Sequence, residues 1–180
     1  LLITYHPETF GIETSKTNFQ SLLDVLAELK EIRLIFTMPN SDTDGRIIKK
    51  MIDEFVSCNS ERSISFTSMG HLKYLSTLQY VDGVVGNSSS GLTEVPSFKI
   101  GTINIGDRQA GRIKAESVID CNPEQKTIKN AIKKLYSKEF QNKLETVSNP
   151  YGNGKATEKI MKILKMIKIP DHLKKEFFNL

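Results

Sequence analysis

Along this chain short apolar, β-branched runs alternate with segments whose apolar residues recur at helical spacing, and that alternation constrains the fold more than any other feature. Strand-like runs fall at 1–5, 32–37, 64–67, 81–86, 101–105 and 117–120. Between them, Phe19, Leu22, Leu23, Leu26 and Leu29 mark one amphipathic helix over 18–29, and Ile47, Ile48, Met51, Ile52 and Phe55 mark a second. Further helices are expected at 72–80, from Gly91, and at 124–136, 140–144 and 155–167. Strands that alternate with helices call for an α/β fold, a Rossmann-like parallel sheet with helices on both faces. Such sheets bind ligands at the carboxyl ends of their strands, near a topological switch point.

A chain of 180 residues suffices for one domain with a sizeable core. With 38% hydrophobic and 26% charged residues it is an ordinary globular sequence. No apolar run approaches a membrane span and no signal peptide is visible, so a cytoplasmic protein without a membrane partner is expected. A net charge of +4 could suit nucleic acid, but the lysines cluster between Lys126 and Lys138 and between Lys155 and Lys175, interleaved with apolar residues. Solvated helix faces explain them, and no nucleic-acid partner is expected. Cys58 and Cys121 lack the spacing of a metal or redox motif, so neither a metal nor another cofactor is expected. Because the chain opens at Leu1 in a strand-like run, without an initiator methionine, a fragment is expected.

Residues 84–112 carry the chemistry. A strand ends at Gly86-Asn87, the hydroxyl run Ser88-Ser89-Ser90 and Gly91 open a short helix with Glu94, and after Pro96 a second strand ends in Gly106-Asp107-Arg108-Gln109. Free N–H groups at a helix start suit phosphate, and serine hydroxyls add donors. A carboxylate one to two turns on can accept hydrogen bonds from sugar hydroxyls, so a nucleoside diphosphate is the implied ligand. Blander roles exist for each residue. Ser88 and Ser89 could be helix caps, and Glu94 could complement a helix dipole in the first turn. Arg108 and Arg112 could be surface charges, although their fork geometry suits phosphate. Asn40, Asp42 and Asp44 could serve only as turn and cap residues. His6 precedes Pro7, which keeps its backbone extended.

The segments GNSSSGLTEVPSF and INIGDRQAGR closely resemble the hydrolysing UDP-N-acetylglucosamine 2-epimerases, which begin sialic acid synthesis. ITYHPET, FTMPNSDTDG and NPYGNGKATEKIMKILK extend the resemblance almost end to end. It implies the C-terminal half of a GT-B-like two-domain enzyme, with residues 1–167 as the UDP-binding domain and 168–180 as a helical segment. The last helix would then cross toward an absent N-terminal domain, with Phe177 and Phe178 in reserve for contact or local packing. By the same resemblance His6 is an active-site histidine, Asn40 lies at the ligand, and Glu94 holds the ribose. The backbone of Ser68-Met69-Gly70 would read the uracil ring, which makes Met69 a binding position.

The implied reaction is elimination of UDP from UDP-N-acetylglucosamine, then water addition to give N-acetylmannosamine. Its carboxylates would lie largely in the other domain, leaving the fragment inactive by itself and the full-length enzyme a possible homodimer. Non-hydrolysing epimerases run through an aspartate-serine-glycine-glycine start and a threonine-rich RDTTERPE segment, which this chain lacks. A two-domain glycosyltransferase is the alternative from another class, disfavoured by His6, the serine run and DRQAGR together.

Overall fold

Six strands pair in parallel in the order β3-β2-β1-β4-β5-β6. The computed structural model describes residues 1–7, 12–39 and 43–168. The strands are β1 (Leu2–Thr4), β2 (Leu34–Thr37), β3 (Ser63–Phe66), β4 (Gly83–Gly86), β5 (Gly101–Ile105) and β6 (Val118–Cys121). The helices are α1 (Ile12–Glu28), α2 (Thr43–Cys58), α3 (Gly70–Thr77), α4 (Ser90–Thr93), α5 (Gln125–Leu135), α6 (Lys138–Leu144) and α7 (Ala156–Met166), with a 3-10 turn at Val95–Phe98. The expected α/β alternation is therefore present. From β1 the chain builds outward through β2 to β3, then returns to the other side of β1 with β4. Parallel neighbours require such crossovers; helices fill those up to β5, whereas residues 106–117 join β5 to β6 through turns.

Strands buried on both faces must be mostly apolar on both; β1, β4 and β5 are buried throughout and mostly apolar, whereas β2, β3 and β6 are partly exposed. Ile3, Val85, Ile103 and Ile105 face a large cluster with Phe19, Leu22 and Leu26 of α1, Ile48 and Ile52 of α2, and Ile128, Ile132 and Leu135 of α5. Their alternate neighbours Leu2 and Val84 face a smaller cluster with Leu78, Val95, Tyr74 and Phe98. Full burial of one such side chain contributes roughly 1.5–3 kcal/mol. The larger cluster supplies most of the stability. The thinner face leaves room at its upper rim.

Two boundaries differ from expectation. Helix α1 starts well before Phe19, because its early turns are covered by a small hydroxyl residue, Ser15, at 2% exposure. An apolar count passes over it. Helix α4 has only four residues before Pro96 enters the 3-10 turn. At the chain's far end α7 buries none of its residues, and Ile163, Leu164 and Met166 are exposed. Phe177, Phe178 and nearly all of the expected 168–180 segment lie outside the described residues. Among the described residues no helix is long and apolar enough to cross a membrane.

Gly86 ends β4 at φ +142°, where a Cβ would stand 1.9 Å from the Thr4 carbonyl oxygen of β1. That is main chain on main chain, with no flexible side chain to yield. Gly86→Ala is expected to lower the melting temperature by roughly 6 °C or more, taking about 3 kcal/mol for severe overpacking and 2 °C per kcal/mol for a domain of this size. A melting curve that coincides with that of the unaltered chain would contradict the close approach.

Candidate functional site

The chain reverses its direction of sheet growth between β1 and β4, so the carboxyl ends of these strands form the crevice where a doubly wound sheet takes its ligand. In register, Thr4 lies opposite Thr37 on one side and Gly86 on the other. Beyond the last paired residues a side chain continues the ladder. The His6 N–H donates to Asn87 Oδ1 at 2.7 Å, and Asn87 Nδ2 donates to the His6 carbonyl at 2.8 Å. The Asn87 N–H donates to Thr4 O at 3.2 Å. The Asn87 carbonyl accepts from Arg108 Nη1 at 3.1 Å and from Gln109 Nε2 at 2.8 Å.

Beside this knot a cavity of about 560 Å³ opens across the ends of β1, β2, β3 and β4. Thr4, Thr37, Met38 and Pro39 line one flank, Thr67 to His71 and Tyr74 the second, and Ser88 and Ser90 the third. Four of its hydroxyls pair with one another. Thr4 Oγ1 and Thr37 Oγ1 lie 2.6 Å apart, and Tyr74 Oη and Ser90 Oγ lie 2.5 Å apart. His71 Nε2 stands 3.9 Å from Glu94 Oε1. A wider concavity of about 680 Å³ lies near the amino-terminal edge of the sheet, beside Leu1, Tyr80 and Asp82. It lacks the strand-end loops that give a parallel sheet its binding groups, so the carboxyl-edge cavity is the candidate site.

Of the expected residues, Ser88 lines the cavity and its Oγ accepts from Ser90 N at 3.4 Å, so it caps and faces the site together. Ser89 precedes α4 in helical conformation and its side chain makes no cap bond, which leaves that hydroxyl uncommitted to capping. Four residues make too short a helix for a strong dipole. The anion-binding resource is therefore the hydroxyls and turn amides. Glu94 follows α4 and precedes the 3-10 turn, capping neither with its side chain. A first-turn, dipole-complementing role in α4 does not fit that position. Met69 occupies the N-cap of α3, and the left-handed Gly70 that follows donates its N–H to Ser68 Oγ at 3.2 Å. Arg108 is tied to the site through Asn87, whereas Arg112 is exposed, and among the described residues no side-chain contact links it to the cavity. His6 is half-buried. Asn40 and Asp42 lie outside the described residues, and so does the Asp44 side chain.

Sequence reasoning passed over Asn87, Gln109, Tyr74 and His71. The amide of Asn87 showed only as a strand-end residue, and its partner His6 is 81 positions away. Among the described residues no group of three or more His, Cys, Asp or Glu could hold a metal ion. Burial, with Asp120 adding, pushes the Cys121 thiol up to about 12. That thiol is not a nucleophile at neutral pH.

Burial also raises the Tyr74 phenol above its ordinary value of 10; the Ser90 hydrogen bond opposes this and the Glu94 charge adds to it. The fold thus favours the neutral phenol. Its stabilising contribution is complete below the ordinary value and fades as pH climbs through the raised one. In an alkaline phenolate titration, Tyr74→Phe should delete a step that lies above pH 10. A deleted step at or below that pH would refute the burial argument.

Residues 1–165 match the family described as UDP-N-acetylglucosamine 2-epimerase. The chain is 41% identical over 180 residues to the GDP/UDP-N,N'-diacetylbacillosamine 2-epimerase (hydrolyzing) of Campylobacter jejuni, covering 99% of this chain and 46% of that protein. It is 34% identical over 181 aligned positions to the polysialic acid biosynthesis protein P7 of Escherichia coli, again covering 99% of this chain and 46% of the other. The chain thus spans about half the length of the curated relatives it matches. Among solved structures, S. aureus MnaA in its co-structure with UDP shares the fold, with a TM-score of 0.69 at 16% identity over 91% of this chain and 44% of that one. With all but its last residues matched, this chain belongs to the UDP-N-acetylglucosamine 2-epimerase family.

Proposed function

We propose that the chain is the UDP-binding half of a hydrolysing 2-epimerase that converts UDP-N-acetylglucosamine, or a UDP-linked 2-acetamido sugar close to it, into the free 2-epimer and UDP. The observation that carries this reading is the carboxyl-edge cavity at the switch point, where Ser88, Met69 and Tyr74 meet, with Glu94 3.9 Å from His71 of its lining and Arg108 bonded to the carbonyl of Asn87, the residue before Ser88. The names of the relatives in Campylobacter jejuni and Escherichia coli support the hydrolysing outcome and a place in acidic-sugar synthesis. Ser88, Ser89 and Arg108 would hold the diphosphate, Glu94 the ribose hydroxyls, and the backbone around Met69 the uracil. Asn40 and Arg112 remain proposed ligands that closure of a second domain would bring in. Loss of UDP breaks the C1–O bond and removes the C2 proton, leaving a 2-acetamidoglucal. Water then supplies hydroxyl to C1 and a proton returns to the opposite face of C2. His6, as imidazolium, would stabilise or protonate the departing diphosphate. The other half of such an enzyme supplies the remaining acid–base groups, and this half alone should bind nucleotide without turnover. A cytoplasmic, homodimeric full-length enzyme completes the proposal.

Calorimetry provides the test. UDP should bind this chain and uridine should bind much less well; equal affinity would sink the diphosphate site. Glu94→Gln keeps the shape and removes the charge. A hydrogen bond to a charged group contributes about 1.5–3 kcal/mol, so UDP affinity should fall roughly tenfold or more. A UDP analogue without ribose hydroxyls should bind both forms alike. If the two forms differ as much for that analogue, Glu94 is not the ribose ligand.

The role of His6 is tested in the longer enzyme that carries this domain. A group that acts mainly in the transition state affects kcat more than KM. His6→Ala should therefore cut turnover by about 10²-fold with KM little changed. Near-normal turnover, or simple unfolding, would return His6 to a structural role. Product analysis of the same reaction distinguishes free 2-epimer plus UDP from an epimerised UDP-sugar, and shows whether the sugar carries a second acetamido group.

A further inference from the structure

We infer that Asn87 is a positioning residue that joins the His6 main chain and the Arg108 guanidinium into one hydrogen-bonded unit, with Gln109 as its anchor. This inference rests on the nucleotide-binding reading above and extends it to residues that need not touch the ligand.

Asn87 is 0% exposed and Gln109 is 1% exposed, so both amides are shielded from water and their bonds cannot be exchanged freely with it. The Asn87 side chain engages the main chain of His6 through both its donor and its acceptor, at 2.8 and 2.7 Å. Two bonds in opposite senses fix both height and tilt of the residue 6 peptide, as a ladder pair does in a strand. Meanwhile the Asn87 carbonyl, one bond from the same backbone, receives Gln109 and Arg108. A displacement of Arg108 toward an anion therefore pulls on the element that sets His6. A displacement of His6 pulls on Arg108. Gly86 and the Thr4 carbonyl beneath them leave the unit no slack on the β1 side.

Each group here has an alternative that the sequence could have used. A serine at 87 could cap the following turn, yet it could not bracket a peptide with both a donor and an acceptor at this reach. A hydrophobic residue at 109 would fill the buried space as well. Among the described residues no donor reaches Gln109 Oε1, so local packing alone gives no reason for an amide there. Its Nε2 bond to the Asn87 carbonyl is the reason the structure offers. With Gln109 carrying that carbonyl, Arg108 spends only one of its five donors on Asn87, and the rest of its fork stays free for a diphosphate.

The test uses this chain with UDP and uridine as probes, and two variants. Gln109→Leu removes the anchor together with an acceptor that has no partner, so it should fold. Asn87→Asp keeps the shape and the bond from the His6 N–H but loses the donor to the His6 carbonyl. For each, UDP affinity should fall by about fivefold or more while uridine affinity stays within about twofold, since only the diphosphate contact depends on the clamp. In the ligand-free chain the His6 amide resonance should shift in both variants, and its hydrogen exchange should quicken in Gln109→Leu. The Arg108→Ala change combined with Gln109→Leu should cost less than the sum of the two alone, as expected for groups acting through one unit. If UDP and uridine weaken equally, the role is purely structural and the inference fails. If a folded Gln109→Leu shows unchanged His6 exchange and an unchanged UDP-to-uridine ratio, the clamp is absent. If the unaltered chain itself binds UDP no better than uridine, the proposed function falls first and the clamp's role with it; a preference that is undiminished in both variants overturns the clamp alone.

Discussion

The contact between β4 and β1 at Gly86 is the constraint on which the rest of the structure depends. Where a Cβ would stand, the Thr4 carbonyl already sits. Glycine alone lets the chain approach that closely and then turn at φ +142°, and the turn throws the Asn87 side chain back over β1. The two halves of the sheet meet at this seam. Their crossovers depart in opposite directions from it, so the crevice between them is a product of topology before any side chain is considered. What the side chains add is closure of that crevice with polar groups that remain satisfied.

Stability and binding are divided between the faces. On one face α1, α2, α5 and α6 bury a continuous apolar cluster from Leu1 to Val147, with Tyr5 and Phe19 rings packed 5.0 Å apart. On the other, α3, α4 and the 3-10 turn are short and cover only Leu2, Leu78, Val84 and Val95 fully. Short elements end near the strand tips, so their loops converge there. Gly91 lets α4 settle against β5, since a Cβ would lie 2.6 Å from Thr102 Cγ2, and the Thr102 hydroxyl donates to the Gly91 carbonyl at 2.8 Å. The serine loop is thereby held at the height of the cavity by backbone packing. The functional rim sits on the thin face because the thick face can hold it still.

Much of this was legible in the sequence, for a physical reason: a strand buried on both sides must be apolar throughout, and an amphipathic helix must repeat about every 3.6 residues. Those two periods placed every described strand and nearly every helix. Boundaries escaped where burial was achieved without apolar atoms, as with Ser15 in α1. The site was half legible. Serines after a strand suggest an anion whatever their partners, so Ser88 was singled out by residue type, and it lines the cavity. Glu94 was singled out too, and its blander explanation assumed a helix long enough to have a first turn distinct from its last, whereas α4 ends at Thr93. Asn87 and Gln109 could not be found, because an amide acquires its meaning from the peptide it faces. That peptide belongs to another strand, and only the β1–β4 pairing brings the two together.

The hydroxyls that line the cavity include two pairs whose members satisfy each other, Thr4 with Thr37 and Tyr74 with Ser90. Each hydroxyl offers one proton and accepts two. In the Thr4–Thr37 and Tyr74–Ser90 pairs one proton bridges two oxygens, and either oxygen can supply it. When an acceptor arrives, the inner hydroxyl can donate to its partner while the partner turns its own proton outward. In the Tyr74–Ser90 pair that rotation keeps the bond between the two hydroxyls, whereas Thr37 on turning outward gives up its 3.4 Å bond to the Ile3 carbonyl. Charged donors held there instead would repel one another and drag in water, which a diphosphate would then have to displace. Neutral hydroxyls that pair with one another carry no such repulsion, and the Arg108 guanidinium is held by the Asn87 carbonyl.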